Sequence, residues 1–338
     1  MKNSIKSYSR YEIIKELASG GMGTVFKAKL KGVEGFEKVV AIKTLRAQYA
    51  RDREFVRKFV FEAKLVANLV HENIVQIYQL DLVDGEYFFV QEFVDGISLH
   101  ELVEFHQLIK QQFPVELAVF IASRAARGLA YAHNRKSVDG EPLNIIHCDI
   151  CPHNLLINRE GVLKITDFGI AKAATMQDSG KVSGKLAFMS PEQCVSPLSM
   201  TGQSDIYSLG VVLFYMLSSS CTRNIHVQRD ELLMQIRSNY INWSALPESV
   251  PDELRRILQK MLSADPDERY GNSADLAREL EYYIYKDGYG PTIVTLADYM
   301  RKLLPGRFSD NGSGWREEDA TAVLPADYFD RTVPMGKL

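Results

Sequence analysis

The stretch His147-Cys148-Asp149-Ile150-Cys151-Pro152-His153-Asn154 sets the reading of this chain. It places a carboxylate, Asp149, and an amide, Asn154, in a short loop after a segment of helical period. A second carboxylate follows in Asp167-Phe168-Gly169, after the strand-like run Val162 to Ile165. The three groups offer hard oxygen ligands for Mg²⁺ and an acceptor for a hydroxyl proton. Carboxylates in polar loops are usually only solvated, but three such groups at the ends of strands and helices argue against that reading.

Toward the N-terminus the pattern is strand-rich with one helical interruption. Glu12 to Leu17 and Thr24 to Leu30 alternate, and Ala18-Ser19-Gly20-Gly21-Met22-Gly23 between them reads as a glycine-rich hairpin turn. Glycine there lets backbone N–H groups approach phosphates without a Cβ clash, although most such turns are only turns. Val40-Ala41-Ile42-Lys43 lies in a third strand, Lys38 to Leu45, and alternation sets Val39, Ala41 and Lys43 on one face. Lys43 is either a buried stem with its head in water or a phosphate-holding ammonium beyond a small residue that leaves room for a flat ring. Arg53 to Leu69 has helical period, and Glu62 interrupts its apolar stripe, where an unpaired carboxylate would be costly. Lys43 and Glu62 are therefore read as a pair aimed at a ligand. Strands Ile74 to Leu82 and Tyr87 to Phe93, joined by Asp84-Gly85, complete this part.

After Gly96 the character is mainly helical. Leu117 to Ala132 reads as a long helix with one buried face, and Ser204 as the N-cap of Asp205 to Ser218. Glu231 to Ser238, Pro251 to Leu262, Ser273 to Lys286 and Ile293 to Leu304 read as further helices. The sequence thus predicts a small sheet lobe followed by a larger helical lobe, with a weakly structured tail over 306–338. With 338 residues and 46% hydrophobic composition the chain can bury one large core or two medium ones. A net charge of -3 and a pI near 6.2 give no footprint for nucleic acid or an anionic membrane. Four cysteines make no disulfide framework, and the start lacks the apolar run of a signal peptide. The longest apolar stretch, Ile206 to Leu217, is too short to span a bilayer. The expectation is a soluble cytoplasmic protein without a membrane segment or sensor domain, its input coming from a partner or the tail. Its oligomeric state is left open.

These motifs together resemble the eukaryotic-type (Hanks-type) protein kinases over roughly Tyr11 to Lys286, most closely a bacterial Ser/Thr branch. Gly32 to Lys38 and the insertion Lys136 to Asn144 are similar to segments of myxobacterial-like kinases. The resemblance implies an α+β, two-lobed kinase fold. Its parts are an N-terminal extension (1–10), an antiparallel-sheet N-lobe (11–94), a mainly helical C-lobe (95–286), a possible extra helix (287–305) and the tail (306–338). It also implies Mg-ATP and protein substrates bearing Ser or Thr hydroxyls, with autophosphorylation included. Carried over residue by residue, Lys43 holds the α/β-phosphates, Glu62 orients it, Asp149 takes or orients the substrate hydroxyl, and Asn154 and Asp167 bind Mg²⁺. Leu17, Ala18, Ser19, Gly20, Gly21, Met22, Gly23, Thr24 and Val25 cover the nucleotide. Leu17, Val25, Ala41 and Leu156 sandwich the adenine, with Gln91 as gatekeeper, Glu92 to Val94 as hinge and Asp95 near the ribose. Ser190-Pro191-Glu192 ends the activation segment, Glu192 pairs with Arg269, and Asp205 braces the catalytic loop.

The chain departs from that pattern at four places. Ala18 replaces the first glycine of the loop, a modest stiffening. Cys148 replaces the arginine that pairs with a phosphorylated activation segment, so phosphorylation at Thr175, Ser179 or Ser183 is not the expected on-switch. Cys151 replaces the lysine that contacts the transferring phosphate, while Lys185 stands where the family has Thr or Ser. The expectation is a swap, with Lys185 bringing the ammonium from the activation segment; the alternative is a surface lysine. A redox or metal role for Cys148-x-x-Cys151 is disfavoured, because Asp149 opposes a thiolate and two cysteines do not complete a zinc site. A pseudokinase would account for the four departures but not for the intact set Lys43, Glu62, Asp149, Asn154 and Asp167. A small-molecule kinase would not need the Ser190-Pro191-Glu192 and Asp265 to Arg269 elements.

Overall fold

The computed structural model describes residues 10–308 apart from 20–22, 46–55, 58–59, 61–62, 65, 84–85, 169–183 and 197–198. Five antiparallel strands form the first sheet: β1 Tyr11–Ser19, β2 Gly23–Lys31, β3 Glu37–Leu45, β4 Ile77–Val83 and β5 Glu86–Glu92, in the order β1-β2-β3-β5-β4. Val40 and Ile42 of β3 join Tyr11, Ala28, Phe88 and Val90 in a small core on one face. The alternate residues Ala41 and Lys43 face the other way, opposite Gln91 and Phe89 of β5. The strand expected from Ile74 starts at Ile77, because the preceding residues leave this sheet. Val75 N–H donates to Ile165 O at 2.8 Å and Ile165 N–H to Asn73 O at 2.9 Å, which ties them to the second lobe.

That lobe carries a three-stranded sheet, β6 Gly96–Ser98, β7 Leu155–Asn158 and β8 Leu163–Ile165. Around it, among the described residues, are α1 Leu99–Leu108, α2 Val115–His133, α3 Gly202–Ser218, α4 Arg229–Arg237, α5 Asp252–Met261, α6 Ser273–Tyr285, α7 Ile293–Leu303 and α8 Pro305–Phe308. Every residue of α3 from Ser204 to Leu217 is buried, as befits a helix apolar on all sides. No described helix is long and apolar enough to cross a membrane.

Two further expectations need correcting. The N-cap of α3 is Thr201, not Ser204: Thr201 Oγ1 accepts from Gln203 N–H, and Ser204, three residues in, takes the backbone N–H of Thr201 in a capping box. The residues expected to open the tail, Gly306, Arg307 and Phe308, are helical, and Phe308 is buried.

Candidate active site

The catalytic loop is set by one carboxylate beneath it. Asp205, in the first turn of α3 and 1% exposed, accepts the backbone N–H groups of His147 at 2.7 Å and Cys148 at 2.8 Å. His133 Nε2 meets the same carboxylate at 2.9 Å. Both N–H groups converge because Cys148 takes a left-handed backbone, φ 61°, a conformation that costs a residue with a Cβ about 1 kcal/mol or more. His147 then links the loop to the second carboxylate. Its Nδ1 accepts Asp149 N–H at 3.1 Å, its Nε2 donates to Thr166 O at 3.0 Å, and its ring packs on Phe168.

Four charged groups and an amide meet above this frame. Lys43 Nζ lies 2.6 Å from Asp167 Oδ1. Lys185 Nζ lies 3.6 Å from Asp149 Oδ2 and 3.4 Å from Asn154 Oδ1. Asn154 Nδ2 donates to Asp149 O at 2.7 Å, which turns its Oδ1 toward the cleft. Burial opposes the charge on Asp167, yet the Lys43 ammonium outweighs it and holds the carboxyl below its ordinary pKa. Burial likewise opposes the Lys185 charge, and Cys151, Asp149 and Asp167 overcome it, so its pKa stands above that of an ordinary lysine. Cys151 is fully buried in the core, and all four cysteines are free thiols.

The donor set fits Mg²⁺. Asp167 and Asn154 present a carboxylate and an oriented amide oxygen, both hard ligands, and an ion held by two protein oxygens leaves positions for phosphate and water. Among the described residues no group of three or more His, Cys, Asp or Glu side chains has metal-holding geometry. Lys43 would neutralise phosphate oxygens beside it.

The cleft runs from these charges to the segment joining the lobes. Ala41 is 4% exposed on the face it shares with Lys43, and Gln91 opposite it is 9% exposed. Leu17, Val25, Val94 and Leu156 are each partly exposed. Gly23 must be glycine: a Cβ there would lie 1.7 Å from Thr44 O. Glu92 turns its side chain to Lys164 Nζ at 2.8 Å and to Gln76 N–H at 3.2 Å, and its own N–H donates to Gln76 O at 2.8 Å.

On the other side, Gly184–Phe188 forms a tight turn that carries Lys185. Arg223, 3% exposed, donates to Ala187 O at 2.7 Å and to Tyr207 Oη. Gln193 accepts Ser190 N–H at 2.9 Å and donates to Cys148 O at 3.0 Å, bolting the segment to the catalytic loop. Glu192 meets Arg269 at 2.7 and 2.9 Å, as expected, and also accepts from Ser204 Oγ.

The structure therefore brings together Lys43, Asp149, Asn154, Asp167 and Lys185. Gly20, Gly21, Met22, Glu62, Gly169 and the hydroxyls of Thr175, Ser179 and Ser183 lie outside the described residues. Sequence reading missed Gln193 and Arg223, which reach Cys148 O and Ala187 O across long stretches of chain. It also missed α1, although Ser98-Leu99-His100-Glu101 carries a capping-box pattern that the structure realises.

A cleft between a five-stranded sheet and a helical lobe thus gathers two lysines, two carboxylates and an amide. Residues 11–282 match the family model described as the protein kinase domain, and the chain belongs to the protein kinase family. It is similar to Tyrosine-protein kinase MasK of Myxococcus xanthus, 32% identical over 96% of this chain and 50% of that one. It is also similar to Serine/threonine-protein kinase PrkC of Bacillus subtilis, 34% identical over 88% of this chain and 44% of that one. The chain thus spans about half the length of these curated relatives. The solved PknI kinase domain of Mycobacterium tuberculosis shares the fold, with a TM-score of 0.60 at 23% identity over 82% of this chain and 97% of that one.

Proposed function

We propose that the chain is a serine/threonine protein kinase, moving the γ-phosphoryl group of Mg-ATP to Ser or Thr hydroxyls of proteins, itself included. The observation that carries this reading is the convergence of Lys43, Asp149, Asn154, Asp167 and Lys185 on one cleft. Asp149 accepts or orients the proton of the attacking hydroxyl. Asn154 and Asp167 would hold Mg²⁺, which when bound offsets the charge of the phosphate oxygens. Lys43, oriented by Glu62, holds the phosphates under the 17–25 loop. Ala41, Leu156 and the hinge residues Glu92 and Val94 receive the adenine.

Lys185 supplies the ammonium that Cys151 does not. Its distances of 3.6 Å to Asp149 and 3.4 Å to Asn154 support this role, since charge develops beside those two groups during transfer. This arrangement supports turnover over a pseudokinase, which needs no such charge set. Lobes over 11–94 and 95–286, and a cytoplasmic location, belong to the same reading. Pro152 resembles the Ser/Thr pattern, and PrkC is named a Ser/Thr kinase. MasK is named a tyrosine kinase, which keeps dual specificity as the second reading.

The test is transfer of labelled γ-phosphate with Mg-ATP, onto the chain itself and a generic basic protein, with phosphoamino-acid analysis. Label on serine or threonine that vanishes in Asp149→Asn supports the proposal. Label on tyrosine alone would replace the specificity. Nucleotide binding without transfer would make the chain a pseudokinase.

A further inference from the structure

The family match ends at residue 282, but the ordered chain continues and returns to the nucleotide cleft. Thr292 caps α7 with a capping box. Leu296, Met300, Leu304 and Phe308 are then each 7% exposed or less against the helical lobe. Two features show that this seat is specific. Tyr299 Oη lies 2.5 Å from Nε2 of His106, a fully buried ring whose Nδ1 donates to Leu102 O at 2.7 Å. Gly161, at φ 81°, makes the close approach possible: a Cβ there would stand 2.0 Å from Ile293 O.

The last turn ends on the exit of the hinge. Arg307 donates to Gly96 O at 3.0 Å and to Glu101 Oε1 at 3.1 Å. The other oxygen of Glu101 holds Ser98 N–H and Oγ, the cap of α1. Arg307 O in turn receives Arg159 Nη2 at 3.4 Å, and Arg159 joins Asp95 through its backbone N–H at 3.0 Å and its guanidinium at 3.5 Å. One network therefore runs from the C-terminal helices through Arg307 and Arg159 to Asp95, the first residue past the hinge.

We infer that residues 292–308 form a strap that fixes the lip of the nucleotide cleft, with Arg307 as the positioning residue for Asp95 and Gly96. The inference rests on the proposed use of ATP and names a determinant of its binding outside the family's own domain. Asp95 is exposed and its carboxylate meets Arg159, whose guanidinium also donates to Arg307 O, so the strap contributes to its direction. A fixed carboxylate at the lip binds a ribose hydroxyl without first losing its own rotamer freedom. The strap should thus act on nucleotide affinity and leave the transfer step alone.

The experiment uses the full chain and compares wild type, Arg307→Ala and Arg307→Lys, with Asp298→Ala on the exposed side of α7 as control. Affinity is read by titration with a fluorescent ATP analogue, alongside KM for ATP, kcat and thermal melting. The expected result for Arg307→Ala is a KM and analogue Kd raised about tenfold, because without the guanidinium bonds to Gly96 O and Glu101 the last turn no longer holds the residue-307 carbonyl in place for Arg159, with kcat within about twofold. Arg307→Lys recovers part of the loss and Asp298→Ala shows none. In an Asp95→Ala background the effect of Arg307→Ala disappears, because the strap acts through that carboxylate. If Arg307→Ala melts far below wild type, Glu101→Gln, which keeps the hydrogen-bonding shape, carries the test and should weaken nucleotide binding in the same direction. If wild type binds the analogue and the variants Arg307→Ala and Glu101→Gln bind it equally well, the inference alone is overturned, as it is by a loss that persists unchanged in the Asp95→Ala background. A wild-type chain that binds no nucleotide overturns the proposed function as well.

Discussion

The guanidinium of Arg269 has no exposed surface, and the Glu192 carboxylate meets it through two bonds. Arg269→Ala strands that carboxylate in a largely buried place and should lower stability by about 3–5 kcal/mol, as for other broken buried pairs. A urea unfolding series checks this through the midpoint at unchanged slope; a loss below about 1 kcal/mol, the worth of a surface pair, would contradict it. This pair was legible in the sequence because both partners sit in short motifs, as do Lys43, Asp149, Asn154 and Asp167. Gln193 and Arg223 were not. A glutamine that bolts Ser190 to Cys148, or an arginine that holds a carbonyl at Ala187, has no local pattern, since its meaning lies in chain segments far away in sequence.

At the scale of elements, the turn Gly184–Phe188 and the segment after it are held by Arg223, Gln193 and Arg269. Cys148 offers no cation to a phosphorylated residue. Replacing Thr175, Ser179 and Ser183 together by alanine should therefore leave kcat on an exogenous substrate within about twofold of wild type; abolished activity would show that one of these hydroxyls switches the enzyme on. Most strands and long helices could be read from their period, because burial on one face imposes it. The boundaries that moved did so for tertiary reasons. Ile74 is apolar for β8 and not for β4, and Thr201 takes the cap because Ser204 is needed inside the first turn for Thr201 and Glu192. The helix over Ile293–Leu303 was legible from its period, but the end of the strap, 306–308, reads as tail until Glu101 and Gly96 are seen to receive Arg307.

For the whole molecule, the buried titratable groups fix how stability follows pH. Burial, with His100 and Lys185 nearby, pushes His153 down to about 3 from 6.5. The unfolded chain takes that proton near its ordinary value and the folded chain does not, so stability is full above pH 6.5 and is lost as pH falls toward 3. Asp167, Glu192 and Glu281 are all held below their ordinary values against the cost of burial by Lys43, Arg269 and the pair Arg127 and Arg124, and they add to the loss below the ordinary carboxylate range. The melting temperature should fall steadily from pH 6.5 to pH 4, and His153→Gln should flatten the upper part of that slope. A melting temperature that rises on acidification would contradict the assignment. The two lobes and the activation segment matter together only if they deliver a working set of charges. The most direct measurement is kcat for wild type, Lys185→Thr, Cys151→Lys and the double variant under saturating Mg-ATP. The account predicts that Lys185→Thr loses about 10²–10³-fold, the usual loss of one charge-stabilising donor, and that Cys151→Lys restores part of it. Full activity in Lys185→Thr, or no recovery at all in the double variant, would contradict it.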